Sequence, residues 1–240
     1  MQLWPPFPGQ RPAKLGHISA MLTVRSFTFN PFQENTYVVH NGSEGILVDP
    51  GCWKLHEEQE LADWLEQNGI TPVRLVLTHA HIDHVLGCAW VLERYGLKPQ
   101  VHKADMPLLQ AAPRQGALWG IHCDPVPDPE VFLEPGGSLA LGKDKLDILF
   151  VPGHAPGHIA LYHRPLSTGE GRGEAFVVSG DVLFNGSIGR TDLPGGDFDL
   201  LAKSIREVMY PLGDDVIVYS GHGDPTTIGK ERRTNPFVKG

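Results

Sequence analysis

The stretch LTHAHIDHVLG, Leu77 to Gly87, places His79, His81, Asp83 and His84 directly after an apolar run. Imidazole and carboxylate are ligands that zinc, iron and manganese all accept. With 12 histidines in 240 residues, chance would assemble H-x-H-x-D-H in about one such chain in 500. Residues two apart in an extended segment project to the same side, so His79 and His81 can converge on one cation. Asp83 and His84 lie where the chain turns into a helix and can reach a second cation nearby. The competing reading is a polar turn, because Asp is a favoured N-cap and DHVLGCAW reads as a helix start.

Three more residues share a local pattern. His154 in VPGHAPGH, Asp181 in VSGD and His222 in YSGHGD each follow a β-type run and a glycine, which lets backbone pass close to a crowded site. A carboxylate between two dications reduces their repulsion, so Asp181 suits a bridging place. His158, four residues after His154, is expected to support the ligands rather than join them. His40, His56, His102, His122 and His163 have no such context. A cation in such a site lowers the pKa of a bound water from about 16 to about 7, supplying hydroxide without a separate base.

These residues must be carried by the elements around them. From Met21 the segments LTVRSFTF, TYVVH and GILVD, ending at Asp49, predict a meander of paired strands. HEEQELADWLEQNG predicts a helix with Leu61, Trp64 and Leu65 on one face and Gly69 at its stop. VRLVLT, Val73 to Thr78, reads as a short strand, and beyond the histidine cluster Val85, Ala89 and Leu92 recur at helical spacing until Gly96. In the second half KLDILFVPGH, HIALYHR, AFVVSGD and VIVYSGHGD read as strands, and Leu201, Ile205, Val208 and Met209 mark a helix. The polar RPLSTGEGRGE, Arg164 to Glu174, reads as a surface hairpin loop. Strands interspersed with helices in both halves predict layered α/β packing.

Composition narrows the function classes. A 41% hydrophobic content over 240 residues is ample for one core, and residues 21–240 are expected to form a single domain. A net charge of −8 with no Lys/Arg-rich block argues against nucleic acid as partner. Cys52, Cys88 and Cys123 are an odd number at no metal-like spacing, which fits reduced, core-packed thiols in a cytoplasmic protein. No apolar run reaches the length of a membrane span. The first twenty residues, rich in Pro and Gly, read as a flexible extension or expression remnant, with Met21 a candidate natural start. Nothing in the sequence points to a particular oligomeric state.

The motifs LVDPG, LTHAHIDH, PGHAPGH, SGDVLF, GRTD and SGHGDPTTIGKERRTNPF occur in the order of a known family. The chain resembles the metallo-β-lactamase superfamily, and within it the compact bacterial proteins similar to glyoxalase II (hydroxyacylglutathione hydrolase) that share the NPF ending. The resemblance implies an α+β (α/β) fold, the αββα sandwich, with two mixed sheets face to face and helices outside. It implies two divalent metal ions, zinc first and iron or manganese as alternatives. His79, His81 and His154 would hold the first, and Asp83, His84 and His222 the second, with Asp181 bridging. Asp49 would stand behind the ligands, and Arg190 would lie at the substrate mouth. The implied activity is hydrolysis of a small-molecule thioester of the S-lactoylglutathione type, with Asp83 and Asp181 acting through hydroxide on the metals.

Glyoxalase II also carries a helical C-terminal domain that helps bind glutathione, whereas only GDPTTIGKERRTNPFVKG follows His222 here. Loops of the main domain are therefore expected to recognise substrate, with Met106 to Pro129, including Leu118 and Trp119, as the wall. The same signature resembles persulfide dioxygenases, in which one iron would sit on His79, His154 and Asp181. Phosphodiesterases share H-x-H-x-D-H too, a third reading that the acidic balance disfavours.

Overall fold

Alternation along the central strands decides how the chain layers. The computed structural model describes residues 21–165 and 174–240; the N-terminal extension and the centre of the Arg164–Glu174 loop lie outside the described residues. One sheet runs in chain order through β1 (Thr23–Phe29), β2 (Glu34–His40), β3 (Glu44–Val48), β4 (Thr71–Val76), β5 (Pro99–Val101) and β6 (Val131–Phe132). Its first three strands are antiparallel, and β3 to β6 are parallel. The second sheet contains β7 (Ser138–Leu141), β8 (Asp144–Phe150), β9 (Ile159–His163) and β10 (Phe176–Gly180), followed by a ribbon of β11 (Leu183–Phe184) and β12 (Ser187–Ile188). It is completed by β13 (Ile217–Ser220) and β14 (Thr226–Thr227), in the order β14-β13-β10-β9-β8-β7. Only its β10/β13 pair is parallel, so both sheets are mixed.

Successive side chains of a strand face opposite ways. Tyr37, Val39, Ile46, Val48 and Val76 of the first sheet therefore meet Leu146, Ile148, Ile159, Leu161 and Val178 of the second in a central core. The alternate residues Val38, Leu47 and Leu75 turn outward onto α1 (Leu55–Gln67), α2 (Ile82–Val85), α3 (Cys88–Tyr95) and α4 (Met106–Leu118). On the far side Ala160, Tyr162, Val177 and Val218 pack on α5 (Phe198–Ser204), the π and 3₁₀ turns after it, and α6 (Ile228–Thr234). Burial on both faces is why these strands read as continuous apolar runs. The result is the αββα sandwich that the resemblance implies, and no helix among the described residues is long and apolar enough to cross a membrane.

Two expectations need correction, and the competing N-cap reading of Asp83 falls. The helix after the histidine cluster is broken at Leu86–Gly87, and it buries Val85, Cys88 and Val91 rather than the face of Ala89 and Leu92. The position of the break requires glycine, since a Cβ on Gly87 would strike Cys52 Sγ and the Pro50 carbonyl. Asp83 is no N-cap: His81 holds that position, and Asp83 lies inside the first turn. The wall from Met106 begins as a helix, not a loop, with Pro107 in its first turn and Leu109, Ala112 and Gly116 buried at helical spacing. Pro113 lies inside α4, whose packing outweighs the missing N–H. The three cysteines are buried and unpaired, and burial pushes the Cys123 thiol up to about 11.

Candidate metal centre

The two sheets are stitched together at one edge. Ile159 N–H donates to the Thr78 carbonyl at 2.9 Å, and Asn35 N–H donates to the Gly221 carbonyl at 2.7 Å. This edge collects the residues that follow β4, β8, β10 and β13, which are the segments carrying His79 to His84, His154, Asp181 and His222. Gly180, at φ +48°, and Gly221 admit the close approach; a Cβ on Gly221 would meet Asp181 Oδ1 and His84 Cε1.

The sequence-predicted residues come together in two sets. His79, His81 and His154 offer nitrogens within 4.8 Å of one another, as do the ligand atoms of Asp83, His84 and His222. His154 Nε2 lies 2.8 Å from His81 Nδ1 and 3.2 Å from His79 Nε2. Asp181 faces both sets: Oδ2 is 3.5 Å from His154 Nε2 and 3.5 Å from His222 Nε2, and Oδ1 is 3.5 Å from His84 Nε2. Asp83 Oδ2 is 3.1 Å from His222 Nε2.

Hydrogen bonds behind the rings fix which nitrogen is free. His154 Nδ1 donates to the Arg190 carbonyl at 2.7 Å, and His222 Nδ1 faces the Phe32 and Gln33 carbonyls at 3.1 and 3.2 Å. His84 Nδ1 donates to Asp49 Oδ2 at 3.1 Å. Thr78 Oγ1 donates to the same Oδ2 at 2.6 Å and accepts from His79 Nδ1 at 3.1 Å. In each case the Nδ1 proton is held outward and Nε2 faces inward, the arrangement that presents Nε2 to a metal once that nitrogen is free of its own proton. His84 Nε2 and Asp181 Oδ1 are buried with no hydrogen-bond partner. Buried polar atoms are normally paired, so these orphans and the inward-facing Nε2 atoms fit a pair of divalent cations.

The charges are arranged accordingly. Burial, aided by neighbouring imidazoles, holds His79 well below an ordinary imidazole and His81 down at about 3. In the second set burial opposes charge, but the carboxylates outweigh it. Asp83 and Asp181 hold His84 well above the usual value, and hydrogen bonds to Asp181 and Asp83 hold His222 up at about 10. The protons of the metal-free centre thus gather on the second set.

Asp49, at φ +51°, occupies the left-handed region while its carboxylate serves Thr78 and His84. Backbone strain of this kind concentrates at functional sites. His158, expected to support the ligands, accepts from Asp181 N–H at 3.1 Å and stacks on His79. Two supporting residues escape the sequence reading. Glu34 is fully buried, its Oε1 3.8 Å from His84 Nδ1, and burial raises its pKa well above the usual range. Asp105 is buried between two ligand-bearing loops, and burial, opposed by backbone N–H groups of Gly157 and Ala80, lifts it to about 6. Asp105 in ADMP reads simply as a helix cap, and Glu34 opens a strand; neither carries a ligand-like spacing.

A cleft of about 820 Å³ opens onto the centre, lined on one side by Leu108, Ala111, Leu118 and Trp119 and on the other by Pro156 and Leu193. Trp119 is 61% exposed and packs edge-on against Phe32, so it forms a rim and is not core. Arg190 also lines the cleft. Its guanidinium is held in two hydrogen bonds by Asp192, and its carbonyl orients His154.

An αββα sandwich whose sheet edge gathers five imidazoles and two carboxylates defines a class of metal-dependent hydrolases. The profile of the metallo-beta-lactamase superfamily matches residues 29–222, and the chain belongs to that superfamily. It is 34% identical over 210 residues to hydroxyacylglutathione hydrolase GloC of Haemophilus influenzae, covering 86% of this chain and 93% of the relative. The crystal structure of BLEG-1 B3 metallo-beta-lactamase superposes with a TM-score of 0.80 at 34% identity, covering 91% of this chain and all of that one. That of TTHA1623 in a di-iron-bound form gives 0.77 at 37% identity, covering 89% of this chain and 100% of that one.

Proposed function

We propose that the protein hydrolyses a thioester of the hydroxyacylglutathione type at a centre built for two divalent cations. The observation that carries this reading is Asp181, whose carboxylate faces both ligand sets at 3.5 Å. A mononuclear-iron site on His79, His154 and Asp181 gives no task to the convergence of Asp83, His84 and His222, which is why the dinuclear hydrolase is preferred to a persulfide dioxygenase. The relative from Haemophilus influenzae supports the thioester; the similarity to a B3 metallo-beta-lactamase makes β-lactams the hydrolytic comparison.

When bound, the cations supply an activated water and polarise the substrate carbonyl. The chain's own residues do the rest. Asp181 and Asp83 carry the negative charge that keeps two dications close, and Asp49, Thr78 and the carbonyls of Arg190, Phe32 and Gln33 hold the ring protons outward. Leu108, Ala111, Leu118 and Trp119 provide an apolar wall that positions the acyl–sulfur group. A thiolate leaves without a general acid, consistent with a cleft whose carboxylates are Asp83, of the second ligand set, and Asp181, which faces both sets.

The test is elemental analysis of purified protein with parallel assays on S-lactoylglutathione, a β-lactam and glutathione persulfide. Two metals per chain with thioester cleavage are expected. One iron with persulfide-dependent oxygen uptake, or β-lactam turnover exceeding thioester turnover, would overturn the proposal.

A further inference from the structure

Asp105 stands just before α4, where an aspartate ordinarily accepts from the N–H groups of its own helix, yet it makes no such bond. Its carboxylate is turned inward instead. Oδ2 accepts from Ala80 N–H at 3.0 Å, between His79 and His81, and Oδ1 accepts from Gly157 N–H, in the turn between His154 and His158. The side chain is fully buried, and the two loops that it joins are remote in sequence from each other. Gly157 makes the approach possible: a Cβ there would lie 2.7 Å from Asp105 N and 2.8 Å from Oδ1. Each backbone N–H needs its own acceptor, and a carboxylate supplies two where an amide supplies one.

We infer that Asp105 is a positioning residue that ties the His79–His81 segment to the His154 turn and so preforms the first ligand set before any cation arrives. The inference rests on the metal-site reading above, but not on the identity of the substrate. It assigns Asp105 to one set alone, since both of its contacts flank His79, His81 and His154 and none flanks Asp83, His84 or His222.

The experiment is titration of metal-free protein with Zn²⁺ against a competing chelator, with thermal unfolding of metal-free and Zn²⁺-loaded forms. Asp105→Asn and, independently, Gly157→Ala are expected to weaken the same one of two binding steps by about 10- to 100-fold. His222→Ala should abolish the other step. The rise in Tm on adding Zn²⁺ should shrink in both Asp105→Asn and Gly157→Ala, because a weaker site contributes less stabilisation. A merely structural role would lower both melting temperatures equally and leave that rise intact, and this result overturns the inference. Should the variants not fold, hydrogen exchange on the wild type decides. The Ala80 and Gly157 amides must be protected in the metal-free protein, and rapid exchange there refutes a preformed set. A wild type that binds no Zn²⁺ would instead sink the metal-site reading itself.

Discussion

Asp49→Asn changes one oxygen to an amide nitrogen and should reverse the proton order of two ligand histidines. Asp49 Oδ1 accepts from Thr78 N–H at 2.7 Å, while Oδ2 receives both Thr78 Oγ1 at 2.6 Å and His84 Nδ1 at 3.1 Å. The backbone N–H keeps the amide oxygen, so the NH₂ group replaces Oδ2 and donates where the carboxylate accepted. His84 Nδ1 must then accept, so the ring gives up its Nδ1 proton and keeps one on Nε2, the atom that faces Asp83 and Asp181. Thr78 Oγ1 must likewise turn its hydrogen to His79 Nδ1, and the His79 proton moves to Nε2. The opposite amide orientation leaves the buried Thr78 N–H unpaired, at about 1–3 kcal/mol. Loss of such a supporting bond typically costs about 10- to 100-fold in metal affinity, or about 1.4–2.7 kcal/mol. Chelator-competition titration with Zn²⁺ should show that loss in the tighter and weaker steps alike. An Asp49→Asn variant that loads two metals with wild-type affinity would refute the tautomer argument.

Other outcomes follow from the same geometry. Since the carboxylates hold His84 and His222 above the usual imidazole range while burial holds His79 and His81 below it, Zn²⁺ binding at pH 7 should release protons from the second set. Release should diminish as pH rises toward the His222 value of about 10; calorimetry in buffers of different ionisation enthalpy reads this, and no release at pH 7 would contradict it. Gly221→Ala places a methyl against Asp181 Oδ1 and His84 Cε1, so metal content should fall from two to one per chain with the fold retained by circular dichroism. Trp119→Ala removes an exposed rim and should raise KM about 10-fold with kcat nearly unchanged; a fall in kcat alone would remove Trp119 from substrate binding.

The legible parts of this protein are those where one residue type does one job. Strands buried on both faces show as apolar runs, and His79, His81, Asp83 and His84 announce themselves by spacing, so the sandwich and the segments that meet at its edge are readable in advance. What escapes is what depends on long-range contact. Asp105 and Glu34 look like a helix cap and a strand end, and only the folding of distant loops around them gives their carboxylates partners. The need for glycine at position 87 is set by Cys52 and Pro50, far from it in sequence. The helix α4 forms around Pro113, where tertiary packing overrides a local penalty. Arg190 is a further case: its side chain attracts attention in GRTD, while its backbone carbonyl fixes His154.

Anomalous diffraction at the zinc edge from a crystal of the Zn²⁺-loaded protein tests the central claim most directly. Two peaks about 3.5–4 Å apart are predicted, one on His79, His81 and His154, the other on Asp83, His84 and His222, with Asp181 reaching both. A single peak, or two that do not share Asp181, would contradict it.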